Sequence, residues 1–177
     1  MKLSCYILGL AVLACGELMN SHARAATQDR SVALIGSNFC QLTLPTTSSP
    51  IRNRATGVRN EGTTSAYVTC AYPSGEGRVS GGSTNAFIWL YIASLDGALH
   101  LVTCTGVASD AHFNLTYVSK TITAPPTRAG AAVVWDPQDF DDWGTIPDYG
   151  QFSVTCLLPP KTAITLGYVD STTDVGT

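Results

Sequence analysis

Tyr67-Val68-Thr69-Cys70 recurs twice with small changes, as Leu101-Val102-Thr103-Cys104 and Ser153-Val154-Thr155-Cys156. In each copy apolar and polar residues alternate, so on an extended strand Val and Cys turn to one face and Thr to the other. Three strands thereby carry a cysteine in an inward row. A fourth inward cysteine, Cys40, lies in Asn38-Phe39-Cys40-Gln41-Leu42-Thr43-Leu44. These four make two disulfides inside a β core, with the rest of the chain attached as strands and loops.

Composition fits that centre. The chain has 177 residues, 45% hydrophobic and 13% charged, with a net charge of -3. Such a composition is globular, far from the charge-rich, apolar-poor signature of disorder. The acidic balance argues against a nucleic-acid partner, which calls for a basic surface to displace phosphate counterions.

The start of the chain reads as an export signal. Lys2 precedes an apolar run from Tyr6 to Ala14, too short to span a bilayer and matched to the h-region of a secretory signal. Ala23-Arg24-Ala25 supplies a small-x-small cleavage pattern, which makes 1–25 a signal peptide and begins the mature chain at Ala26. Alternatively, Val12-Leu13-Ala14-Cys15 resembles the bacterial lipoprotein box. That resemblance implies a signal over 1–14, lipid on the Cys15 thiol and a membrane-anchored lipoprotein. Either route delivers the domain outside the reducing cytosol, to the periplasm or beyond the cell.

Beyond the signal remain Cys40, Cys70, Cys104 and Cys156, an even set with three pairings. Zinc sites gather cysteines in close pairs, whereas these stand thirty or more residues apart, so disulfides are expected. The expected bridges are Cys40 to Cys70 and Cys104 to Cys156, the first because consecutive strands are usually neighbours.

In chain order, residues 26–37 have no clear period and read as a lead-in, followed by a first strand over Asn38 to Leu44 and a single domain over 38–170. Ile51 to Gly62 holds three of the eight basic residues that follow Ala26. Its arginines suit either an edge strand guarded by charge or a grip on an anionic glycan or a partner's acidic loop. Ser65 to Tyr72 is the next strand, with Ala66, Val68, Cys70 and Tyr72 inward. A glycine-rich loop, Pro73 to Ser83, lacks the strand-to-helix context of a phosphate cradle. Ala86-Phe87-Ile88-Trp89-Leu90-Tyr91-Ile92-Ala93 is apolar at both parities, so it is covered on both faces or presents its outer face to a partner. Asp96-Gly97 signals a hairpin into Ala98 to Thr105, which carries His100 as a hydrogen-bonded core or rim residue. Phe113 to Ser119, Ala131 to Trp135, Gln151 to Leu158 and Thr162 to Val169 complete the strands, and 171–177 is a polar tail expected to fray. About eight strands with no amphipathic helix describe an all-β, antiparallel β-sandwich of immunoglobulin-like or jelly-roll kind, with a closed β-barrel as the alternative.

One loop stands out by composition. Trp135 to Gly150 collects five of the ten aspartates and two of the three tryptophans. Trp135, Asp136, Asp139, Asp141, Asp142, Trp143 and Asp148 are therefore candidates for a glycan- or calcium-binding loop, since calcium takes hard oxygen ligands and sugars stack on aromatic faces. Against this, aspartates commonly cap turns and Trp135 suits a core position. The EF-hand pattern fails, because Gly150 stands where the twelfth-position glutamate belongs.

Catalytic signatures are missing. No Gly-x-Ser-x-Gly elbow or zincin helix occurs, and a pair of loop aspartates does not by itself fix the separation that glycoside hydrolysis requires. The expected function is a non-catalytic exported domain, without a cofactor unless calcium, that binds a glycan or protein partner at the bacterial envelope through its loops and outer sheet face. A self-assembling surface component is the main alternative, and a glycan-active hydrolase the lesser one.

Overall fold

The three Val-Thr-Cys segments lie side by side in one sheet. The computed structural model describes residues 27–43, 49–72, 85–109, 114–127, 129–140 and 152–174. These form eleven strands: β1 Thr27–Ile35, β2 Cys40–Leu42, β3 Ile51–Arg54, β4 Gly57–Asn60, β5 Ala66–Ala71, β6 Asn85–Ser94, β7 His100–Ser109, β8 Leu115–Ala124, β9 Ala131–Trp135, β10 Phe152–Leu158 and β11 Thr162–Asp174. A single helical turn, α1, spans Gly36–Phe39, and a 3-10 turn spans Pro137–Asp139.

Pairing is antiparallel throughout and gives two sheets. A five-stranded sheet runs β2-β5-β10-β7-β8, and a six-stranded sheet runs β3-β4-β11-β6-β9, with β1 also on β11. Neither sheet closes on itself or on the other, so the fold is a sandwich and not a barrel. Alternation makes this possible: in β10, residues 152, 154, 156 and 158 are buried while 153, 155 and 157 face outward. Val68, Val102 and Val154 are fully buried on the inner face of the five-stranded sheet, opposite Val58, Leu90, Ile92 and Ile164 from the six-stranded one.

Both expected disulfides are present. Cys40–Cys70 and Cys104–Cys156 each join residues directly opposite one another on adjacent strands, with Cα atoms 3.9 and 4.0 Å apart. They lie within one sheet rather than between the two. Trp135, fully buried, reaches across to the five-stranded sheet: it packs on Gly106, where a Cβ would come within 2.7 Å of the indole, and its Nε1 donates to the Val118 carbonyl at 3.1 Å.

Several expectations need correction. Residues 27–35, read as a lead-in, form β1, and the supposed tail residues Ser171 to Asp174 continue β11. The two segments pair with each other from Thr27↔Asp174 to Ile35↔Leu166. Their polar composition hides a strand because long-range pairing, rather than a buried face, holds that end of the ribbon. Asn38 and Phe39, placed in the first strand, belong to α1, which leaves β2 only three residues long. Asp96-Gly97 does not make a hairpin, because β6 and β7 lie in different sheets. Gly97, at φ +81°, permits a tight turn, and that turn redirects the chain across the sandwich. Leu95 N–H donates to Lys161 O there, and Ser94 N–H to Pro125 O.

Candidate functional site

The acidic loop was the strongest local signal in the sequence, and its described part is occupied with structure. Asp136 caps the 3-10 turn: its Oδ1 accepts from Gln138 N–H at 2.9 Å and Asp139 N–H at 3.2 Å. Asp139 Oδ2 accepts from Asp136 N–H at 2.9 Å and from Lys120 Nζ at 2.6 Å. Both carboxylates are thus committed to backbone and lysine donors, and Trp135 offers no face to a ligand. Asp141, Asp142, Trp143 and Asp148 lie outside the described residues, as does Cys15. Among the described residues, no group of three or more histidines, cysteines or carboxylates is placed to hold a metal ion.

His100 sits half-buried at the rim, where Asp96 Oδ1 lies 2.8 Å from its Nε2. That hydrogen bond, with others from Ala98 N–H and Ser94 Oγ, holds the Asp96 carboxyl down to about 2. The cluster ties the turn between the sheets and needs no ligand to explain it.

Strand β6 carries a different surface. Ile88, Leu90 and Ile92 point into the core, so Phe87, Trp89 and Tyr91 emerge together on the outer face of the six-stranded sheet. The register adds neighbours on that face: Trp89 pairs with Tyr168 of β11 and Val134 of β9, Tyr91 with Leu166 and Ala132, and Phe87 with Asp170. The Trp89 and Tyr91 rings are nearly parallel, 12° apart in plane with centroids 6.5 Å apart. Phe87 is 41% exposed, and Ile35, at the β1 end of the Tyr91 rung, 45%. Trp89 Nε1 is shielded from solvent and donates to no group among the described residues. Among the described residues, no helix or strand packs over this face.

The backbone beneath the strip is held firmly. The Trp89 carbonyl accepts from Tyr72 OH at 3.1 Å, and the Tyr91 carbonyl from Thr165 Oγ1 at 3.3 Å at the bulge in β11. Tyr72 is buried in an edge-to-face run with Phe39 and Phe152, at 5.1 and 5.6 Å between centroids, and burial pushes its phenol well above the ordinary value.

Trp89 and Tyr91 were visible in the sequence only as part of an octapeptide apolar at both parities. Tyr168 carried no signal, because its place beside Trp89 is set by the β6–β11 register.

The outer face of the five-stranded sheet has another character. Its strands hold no charged side chain except Lys120, which turns inward, and no histidine except His100. Hydroxyls pair across it: Thr69 with Thr155 at 3.2 Å, Thr103 with Thr121 at 2.8 Å, and Thr105 with Ser119 at 2.7 Å. Leu101, Tyr117, Tyr67 and Leu115 stand exposed around these pairs.

No protein-family model matches the chain, and no curated protein matches it in sequence. Among solved structures it shows likeness to a xylan-binding module, CBM15, at 12% identity and a TM-score of 0.42, covering 81% of this chain and 97% of that one. It also shows likeness to TmCBM61 in complex with β-1,4-galactotriose, at 10% identity and 0.34, covering 81% and 86%. A third likeness is to a C-terminal family 22 carbohydrate binding module of Clostridium thermocellum, at 13% identity and 0.31, covering 89% and 91%. At this distance nothing about what those modules bind passes to this chain.

Proposed function

We propose that this is an exported, non-catalytic glycan-binding domain whose ligand lies along the outer face of the six-stranded sheet. One observation carries the reading: Phe87, Trp89, Tyr91 and Tyr168 form an aromatic strip on a sheet face over which, among the described residues, no helix or strand packs. The C–H faces of sugar rings suit flat aromatic surfaces, and β6 carries three aromatic rings at alternate positions of one face. Strands hold the rings in place before binding, which limits the entropy lost on association. Two buried disulfides agree with an oxidising compartment.

Binding to a panel of soluble oligosaccharides and insoluble polysaccharides tests the reading. Trp89→Ala and Tyr91→Ala should each weaken binding at least about tenfold while leaving the melting temperature close to that of the parent. A parent protein that binds nothing in the panel, or variants that bind as well as it does, would remove the proposal.

Self-assembly is the second reading, and the uncharged outer face of the five-stranded sheet favours it. Leu101 is 71% exposed there, Tyr117 62% and Tyr67 56%, and such surfaces mark interaction sites when contiguous. Sedimentation over a wide concentration range decides it: a monomer at every concentration excludes self-assembly through this face.

A further inference from the structure

The aromatic strip changes chemistry one rung beyond Tyr91. Ala93 pairs with Ala163, Ala163 with Arg59 of β4, and Arg59 with Arg52 of β3. Two small residues and two arginines therefore follow the aromatic side chains on the same face. Arg59 is half-buried; one Nη donates to Thr56 Oγ1 at 2.5 Å, while its Nε is shielded from solvent and donates to no group among the described residues. Arg52 directs Nη1 to the carbonyls of Ser49 and Ile51 at 2.6 and 2.9 Å. Glu61, the acid of this corner, is held by Arg54 at 2.8 and 2.7 Å. Among the described residues, no carboxylate lies within salt-bridge distance of Arg52 or Arg59. Three arginines thus face one glutamate in a chain whose net charge is -3.

At the other end of the strip the sign reverses. Asp170 pairs with Phe87 and accepts from Ser31 Oγ at 2.5 Å, and Asp29 pairs with Thr172 one rung further. From Ala93 to Phe87 is six residues, or about 20 Å of strand. The face is therefore aromatic in the middle, cationic at one end and anionic at the other.

Resting on the glycan reading above, we infer that the ligand is an acidic oligosaccharide whose carboxylate is received by Arg59, with Arg52, at the rung beyond Tyr91. A guanidinium offers a planar fork of donors that matches a carboxylate. Ala93 and Ala163, themselves nearly fully buried, add no side chain longer than a methyl between that fork and the aromatic strip. Asp170 and Asp29 disfavour a second negative charge at the far end, so the ligand carries its acid at one end rather than on every unit. Guarding a sheet edge accounts for Arg54, which is exposed and ion-paired with Glu61, whereas Arg52 and Arg59 have no carboxylate partner among the described residues.

The test is a glycan array in which each uronic-acid oligosaccharide is accompanied by its carboxyl-reduced neutral form and by a sulfated form. It is probed with the parent protein, Arg59→Gln, Arg52→Gln and Tyr91→Ala, each first checked by thermal melting. The parent should favour the uronic form over the neutral one roughly ten- to a hundredfold. Arg59→Gln should bind the uronic form only as well as the parent binds the neutral one, with a smaller loss for Arg52→Gln. Tyr91→Ala should lose both forms. Equal binding of uronic and neutral forms, unchanged by Arg59→Gln but lost in Tyr91→Ala, overturns the acidic ligand and leaves the glycan reading intact. Binding of no form by the parent overturns both, and a preference for the sulfated form overturns the assignment to a carboxylate.

Discussion

Replacing Cys104 and Cys156 together by alanine removes a cross-link between residues 52 apart in sequence, and Cys40/Cys70→Ala one between residues 30 apart. In the chain-entropy model the two closures contribute about 4.1 and about 3.6 kcal/mol at 25 °C. Cys104 and Cys156 are fully buried against the inner valines, so the alanine pair also leaves unfilled core volume, which adds to the loss. At roughly 2–4 °C per kcal/mol for a domain of this size, a loss of about 4 kcal/mol lowers the melting temperature by roughly 8–16 °C. The two bridges differ in place as well as in loop length. Cys104–Cys156 joins β7 to β10 inside the sheet, whereas Cys40–Cys70 ties down β2, which has only three paired residues. Cys40/Cys70→Ala should therefore also expose the β2 amides to rapid hydrogen exchange while β7 and β10 stay protected. Urea unfolding of both variants under non-reducing conditions, with m recorded, measures the cost. Because the aromatic strip belongs to the opposite sheet, the folded fraction of either variant should bind its ligand with parental affinity. A Cys104/Cys156→Ala variant within about 1 kcal/mol of the parent at unchanged m would refute the claim that unfolded-chain entropy is what this bridge removes.

Gly106→Val drives a side chain into the Trp135 indole, which a Cβ alone would approach to 2.7 Å, so it should cost roughly 1–3 kcal/mol and alter the near-ultraviolet dichroism. Asp96 titrates below its ordinary value of 3.8, at about 2, because His100, Ala98 and Ser94 hydrogen-bond its charged form. Its contribution to stability is present above pH 3.8 and is lost as pH falls toward 2, so Asp96→Asn should flatten the fall in melting temperature across that window, and an unchanged fall would contradict the assignment. Calcium or a chelator should leave the melting temperature unchanged, since the Asp136 and Asp139 carboxylates already accept backbone and lysine donors. A calcium-dependent rise would point to Asp141, Asp142 or Asp148.

What the sequence determined by itself was whatever repeats at short range. The Val-Thr-Cys words, with period-two alternation, specified inward cysteines, a β core and two bridges, and the structure pairs those cysteines as their order along the chain suggested. The octapeptide around Trp89, apolar at both parities, left open whether its outer face is covered or presented to a partner, and among the described residues no helix or strand packs over that face. Short-range pattern did not determine which strands become neighbours. Pairing of β1 with the end of β11, the crossing at Asp96-Gly97 between sheets, and the alignment of Tyr168 with Trp89 and of Arg59 with Ala163 all depend on register between distant segments. Register is a cooperative outcome of packing the whole sandwich, because shifting one strand by a single residue turns its entire buried row outward. The candidate site is made of such alignments, so only the folded chain brought its aromatic strip and its arginines to one face.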